Sequence, residues 1–148
     1  PYTSGKKLNI GNININSICI NSNNPLFDVS NNNIKLTSLS LLADNHDVHV
    51  ICLTETWLRD SIPDANLKIP NFNHVNRKDR RDGYGGVAIF ARNDTTSTSI
   101  ILNSTLEIAC SKISYAQSHV YVCSLYGSPN RILSSCNEFN DKFKKVHL

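Results

Sequence analysis

Hydrophobic and polar residues alternate along several short stretches of this chain, which is the spacing typical of β-strands. Leucine and isoleucine recur at alternate positions between residues 8 and 20, with one shift of phase, and residues 48–53 are almost continuously apolar. Alternation predicts a strand with one buried face, and the apolar run predicts a short central strand. The first strand should end between Asn14 and Ser17, and the second ends at Thr54, immediately before Glu55.

Helical spacing is found in two places. Leucines and an alanine between residues 34 and 43 fit a short helix that follows an Asn/Ser cap, and residues 134–148 place Phe139, Phe143 and Val146 on one helical face. Residues 59–82 lack periodicity and contain two prolines, so they predict a long irregular connection of the kind that often has a functional purpose.

The remaining pattern predicts a glycine turn followed by consecutive strands. Gly83, Gly85 and Gly86 lead into an apolar strand at residues 87–91. Three further runs, at residues 98–102, 106–113 and 119–125, are separated by short polar turns, as in an antiparallel meander. Because the glycines precede a strand and not a helix, they favour a turn over a phosphate-binding loop.

Composition narrows the class of protein but not its activity. The chain has 148 residues, of which 40% are hydrophobic and 18% charged, enough for one compact domain with a real core. The net charge of +3 is too small to establish a polyanionic partner. No apolar run reaches 18 residues, so nothing supports membrane insertion.

The five cysteines are odd in number and widely spaced, which disfavours both a disulfide framework and a zinc site. Cys52, Cys110 and Cys123 lie inside apolar runs, where a free thiol behaves as a small hydrophobic side chain. We therefore expect buried thiols and a reducing, intracellular compartment.

Polar residues at the ends of predicted strands are the candidates for chemistry. Glu55 and Asn14 each end a strand, and a carboxylate beside an amide oxygen suits a hard divalent cation, although strand ends often simply meet solvent. Tyr126 ends a later run, where its phenol could donate to a phosphate or cap the core. The basic stretch at residues 77–81 could hold phosphate oxygens or form a solvated loop with local ion pairs.

Three motifs in order carry a family resemblance. They are the first strand at residues 8–18, the run Asp47 to Leu58 with its Thr-Glu-Thr-Trp-Leu ending, and the stretch Arg80 to Phe90 with Gly-Gly-Val-Ala-Ile. Together they resemble the endonuclease/exonuclease/phosphatase superfamily. Within it, they are most similar to the apurinic-type endonuclease domain of non-LTR retrotransposon polyproteins, over residues 7–146.

The resemblance implies an α/β sandwich of two packed mixed sheets flanked by helices. It also implies hydrolysis of a DNA phosphodiester with Mg²⁺ or Mn²⁺. Glu55 matches the metal-binding glutamate, Asn14 the asparagine beside the metal, and Tyr126 the tyrosine that contacts the scissile phosphate. We further expect Arg77, Arg80 and Arg81 to contact the DNA backbone. The resemblance further implies that this domain is part of a longer polyprotein, in which it is continuous with a reverse transcriptase and acts in the nucleus.

The sequence also departs from the family pattern. Gly127-Ser128-Pro129 stands where the retrotransposon subgroup has Arg-Pro-Pro, and neither a Gly-Asp-Phe-Asn-like nor a Ser-Asp-His segment occurs. We therefore expect residues 1–148 to be the N-terminal part of a single domain, inactive on its own. Two alternatives stay open, which are a non-catalytic relic that binds nucleic acid and a phosphatase of the same superfamily.

Overall fold

A computed structural model describes residues 6–18, 29–127 and 132–147. Over these residues the chain forms two helices, seven strands and a single 3-10 turn at residues 64–66. The elements follow in the order β1 (Ile10–Asn14), α1 (Val29–Asn45), β2 (Val50–Thr54), β3 (Phe72–Lys78), β4 (Val87–Arg92), β5 (Thr96–Ile100), β6 (Glu107–Tyr115), β7 (Ser118–Tyr126) and α2 (Ile132–His147).

The strands form two sheets. The four-stranded sheet has the order β1-β2-β4-β3, with β1 parallel to β2 and the other pairs antiparallel. The three-stranded sheet is the antiparallel meander β5-β6-β7. β2 and β4 are central because their side chains are apolar on both faces.

The four-stranded sheet is covered on both faces. One face packs against α1 and the segment between β2 and β3, and the other packs against the meander. Alternate residues of β2 and β4 supply the two sides, because successive side chains in a strand point in opposite directions. Ile51, Leu53, Ala88 and Phe90 face the helix, whereas Val50, Cys52, Val87, Ile89 and Ala91 face Ala109, Ile113 and Val122 of the meander.

This architecture confirms the predicted α/β sandwich, the central strand β2 and the meander. Two predictions about elements were wrong. The irregular connection at residues 59–82 contains β3. The hydrophobic pattern does not reveal this edge strand, because it contributes few apolar side chains to the core, chiefly Phe72 and Val75. The helix α1 also starts earlier than the predicted cap and includes the asparagines of residues 31–33.

The prediction of buried free thiols holds for Cys52 but was wrong for two other cysteines. Cys110 and Cys123 face each other across β6 and β7 and form a disulfide. Their wide spacing in sequence concealed this pairing, because an antiparallel hairpin brings residues 13 apart into register. A disulfide is more usual in oxidising compartments, so it does not support the expected reducing location. Neither helix is long and apolar enough to cross a membrane over the residues searched.

Candidate active site

The three predicted site residues lie at one end of the sandwich. Asn14 is opposite Thr54 at the last pair of the β1–β2 ladder, so Glu55 follows directly beside it. Tyr126, the last residue of β7, interacts with Glu55 from the other sheet. The Ser124 hydroxyl, two residues before Tyr126, donates to the Leu53 carbonyl at 3.2 Å. This bond joins the two sheets immediately below the candidate site.

The chain after β2 turns sharply through left-handed backbone. Glu55 has φ 57° and Trp57 φ 55°, a conformation that non-glycine residues adopt only where surrounding contacts enforce it. On one side the Ser17 N–H donates to the Glu55 carbonyl at 2.7 Å, and on the other the Trp57 N–H donates to the Gly85 carbonyl at 2.8 Å. The backbone of Glu55 is thus fixed between the extension of β1 and the glycine turn.

The glycine turn fits against this segment because it lacks side chains. Gly85 and Gly86 have φ 75° and 83°, which favour glycine. A Cβ on Gly85 would lie 2.6 Å from a Glu107 carboxylate oxygen, and one on Gly86 would lie 2.7 Å from the Thr56 hydroxyl oxygen. The Gly86 N–H instead donates to Glu107 Oε2 at 2.8 Å. Close backbone approach is therefore the physical reason for glycine at both positions.

The Glu55 carboxylate has two uncharged donor groups beside it. The Trp57 indole N–H donates to Glu55 Oε2 at 2.8 Å, and the Tyr126 phenol interacts with the same carboxylate. The hydrogen bond to Glu55 raises the pKa of Tyr126 above its ordinary value, and burial and the charge of Glu55 act in the same direction. At neutral pH the phenol therefore stays protonated and acts as a donor.

Asn14 presents an exposed amide at the same edge. Its Oδ1 accepts the backbone N–H of Asn16 at 3.2 Å, where the chain enters left-handed backbone at φ 44°. A carbonyl oxygen has two lone pairs, so this contact orients the amide and leaves acceptor capacity. Asn14 and Glu55 thus offer oxygen atoms from neighbouring strand ends.

The three arginines of the basic stretch differ in their contacts. Arg77 is directed inward, with its guanidinium bound to Asp64 at 3.0 Å, to Asp79 at 3.5 Å and to the Ile62 carbonyl. Its side chain is only 14% exposed, and burial raises the pKa of Asp79 beside it. Arg80 pairs with Asp82 at 2.9 Å and with Glu107 at 3.4 Å and stays half exposed.

A groove of about 800 Å³, lined mainly by charged and polar residues, runs beside this stretch. Its walls are residues 77–81 on one side and residues 104–107 on the other, with Asp60 completing the lining. Lys78 and Arg81 are exposed there. Glu107 belongs both to the groove and to the strand pair that ends at Tyr126, so the groove leads toward the candidate site.

The sequence profile of the Endonuclease/Exonuclease/phosphatase family matches residues 11–115. The chain belongs to this family. The match runs from β1 through β6 and includes Asn14, Glu55, the basic stretch and the glycine turn, whereas Tyr126 lies beyond its end. No curated protein sequence matches the chain.

A hydrolase that acts with a divalent cation needs oxygen atoms to bind that cation. The oxygen atoms at this edge of the sandwich fit such a cation. Within the described ranges, no group of three or more His, Cys, Asp or Glu side chains is arranged to hold a metal. Magnesium does not require such a group, because it commonly takes one or two carboxylates and keeps several waters. The partly exposed Glu55 carboxylate and the Asn14 amide oxygen meet that smaller requirement.

Sequence reasoning missed two residues of the candidate site. In the sequence, Glu107 is simply a polar residue at the start of a predicted strand. In the structure it pairs with Tyr126 and accepts a hydrogen bond from the Gly86 N–H, so it supports the candidate site. Trp57 belongs to the Thr-Glu-Thr-Trp-Leu motif, but the sequence predicts no role for its side chain. The spacing of two residues between Glu55 and Trp57 gives no hint of their contact, because it depends on left-handed backbone at both positions.

Proposed function

We propose that this family member is part of a metal-dependent DNA endonuclease of the retrotransposon type, which nicks target DNA to provide a primer for reverse transcription. The observation that carries the proposal is the contact between Glu55 and Tyr126 at the end of the sandwich, with Asn14 beside them and a groove with basic residues leading away. A carboxylate, an amide and a protonated phenol on rigid strand ends are suited to a phosphate ester and a hard cation.

Each of these side chains has a distinct task in the proposal. Glu55 and Asn14 would hold the cation through their oxygen atoms. Bound there, Mg²⁺ or Mn²⁺ would neutralise charge on phosphate oxygens and acidify a water. Tyr126, protonated at neutral pH, would donate its O–H to an oxygen of the scissile phosphate. The fixed backbone around Glu55 means that little reorganisation is needed when substrate arrives.

The groove supports a polynucleotide substrate over a small phosphate ester. A strand of DNA places phosphates at regular intervals, and exposed Lys78 and Arg81 supply positive charge along the groove. Arg80 can contribute as well, because 45% of its side chain is exposed although it pairs with Asp82 and Glu107. Arg77 is already bound within the protein, so among the three arginines Arg80 and Arg81 are the proposed backbone contacts.

A plasmid-nicking assay with Mg²⁺ tests the proposal. We expect no nicking by residues 1–148. We expect nicking by a chain extended along its reading frame to include the Gly-Asp-Phe-Asn-like and Ser-Asp-His segments of the family. Glu55→Gln in the extended chain should abolish nicking, whereas Asp44→Asn, a matched change at an exposed position of α1, should leave it intact. Nicking by the extended Glu55→Gln protein at the original rate would refute the role of Glu55.

A nucleic-acid binding module without catalysis is the second candidate, and the groove favours it equally. In that case DNA binding should weaken as salt rises and should be unaffected by Glu55→Gln, and no form of the chain should nick DNA. A phosphatase, the remaining alternative, would release phosphate from monoesters such as nucleotides and leave plasmid intact. Continuity with a reverse transcriptase and a nuclear location belong to the endonuclease proposal only.

A further inference from the structure

Trp57 makes a contact that the proposed chemistry does not yet use. Its indole N–H lies 2.8 Å from Glu55 Oε2, and an indole nitrogen can only donate. It is the only tryptophan in the chain. The bond joins residues two apart in sequence, which is possible here because both have left-handed φ values.

The indole ring is itself held from two directions. The Trp57 backbone N–H is bound to the Gly85 carbonyl, and the ring meets Tyr84 edge to face with centroids 5.2 Å apart. Tyr84 and Gly85 both belong to the glycine turn, which the Glu107 carboxylate anchors through Gly86. The glycine turn therefore contacts both the backbone and the ring of Trp57, and these contacts favour one direction of the indole N–H.

We propose that Trp57 is a positioning residue, whose indole N–H fixes the orientation in which Glu55 presents its carboxylate to a divalent cation. The inference rests on the proposed role of Glu55 as a cation ligand. An ionised carboxylate has about four acceptor positions, so donors such as Trp57 and Tyr126 leave others for a cation. Hydrogen bonds to a ligating side chain orient it, and their loss typically lowers metal affinity about 10–100-fold.

Trp57→Phe removes the N–H but keeps an aromatic ring for Tyr84 to contact. We expect Mn²⁺ binding, measured by the electron paramagnetic resonance signal of free Mn²⁺, to weaken about tenfold in this variant. Tyr84→Phe is the matched control, because it keeps the ring pair, and its affinity should stay within about twofold of the original protein. Far-ultraviolet circular dichroism and the urea midpoint identify any variant that fails to fold.

The unaltered protein supplies a second measurement that does not depend on any variant folding. Because the indole donates to the carboxylate that would bind the cation, titration with Mg²⁺ should shift the emission of Trp57, with the same dissociation constant that calorimetry gives. The shift should vanish in Glu55→Gln. Mg²⁺ is used because paramagnetic Mn²⁺ would quench emission by proximity alone.

The outcomes separate this inference from the proposed function. Equal Mn²⁺ affinity in Trp57→Phe and the original protein, with affinity lost in Glu55→Gln, would overturn the role of Trp57 and leave the cation role of Glu55 standing. So would binding of Mg²⁺ without any change in emission. Unchanged affinity in Glu55→Gln, or no binding by the original protein, would overturn both.

Discussion

Gly86→Ala should destabilise the protein by an amount that can be divided into two parts. The first is backbone strain, because φ is 83° at this position and an L-residue in left-handed backbone costs about 1–2 kcal/mol. The second is steric, because the new Cβ would lie 2.7 Å from Thr56 Oγ1, and Thr56 is fully buried and cannot swing away. Overpacking of this kind costs about 1–3 kcal/mol. The total is about 2–5 kcal/mol.

Urea denaturation measures this loss, and an unchanged slope would show that only stability has changed. Thr56→Ala removes the clashing hydroxyl, so the double variant should recover the steric part and keep the strain. Gly11→Ala is the control, since its Cβ would make ordinary contact with Val48 at 3.4 Å, and stability should not fall. A loss below about 1 kcal/mol for Gly86→Ala, or no recovery in the double variant, would refute the reasoning.

Two further predictions concern acid stability and thiol chemistry. Hydrogen bonds from Arg92 lower the pKa of both Asp94 and Asp47, so the stability they contribute is complete above about pH 4 and is lost as the pH falls toward the lowered values. In Arg92→Met, urea midpoints between pH 2 and 5 should depend less steeply on pH, and an unchanged slope would contradict this assignment. Burial raises the pKa of Cys52 to about 11, so at pH 8 iodoacetamide should label exposed Cys136 well before Cys52. Peptide mapping measures this, and equal labelling of the folded protein would count against the burial of Cys52.

The central strands, which are buried on both faces, could be predicted from sequence, whereas the edge strand β3 could not. β2 and β4 are apolar at nearly every position, so their pattern points to a central place whatever their neighbours are. β3 is an edge strand, and its Asn76 faces the other sheet, where its amide donates to the Cys110 carbonyl at 2.6 Å and to the Ser111 hydroxyl. A polar residue that is partly buried and hydrogen-bonded to a distant partner looks like a loop residue in sequence.

In the candidate site, too, some residues could be predicted from the sequence and others could not. Asn14, Glu55 and Tyr126 each follow an apolar run, so periodicity identified them as strand ends, and the family resemblance placed them together. The supports of the site depend on tertiary contacts. The contact between Trp57 and Glu55 requires two left-handed residues, and the bond of Glu107 to the glycine turn joins residues 21 apart.

The two sheets differ in how far apart in sequence their strands pair, and this difference bears on folding kinetics. β6 and β7 are joined by a two-residue turn at Ala116 and Gln117, so their nine pairs close locally. β1 must instead find β2 across 40 residues. Local pairs form early and parallel pairs of high sequence separation form late, so we expect the meander to precede the four-stranded sheet. Tyr126 would then be in place before Glu55, and the two would meet only when the last sheet is assembled.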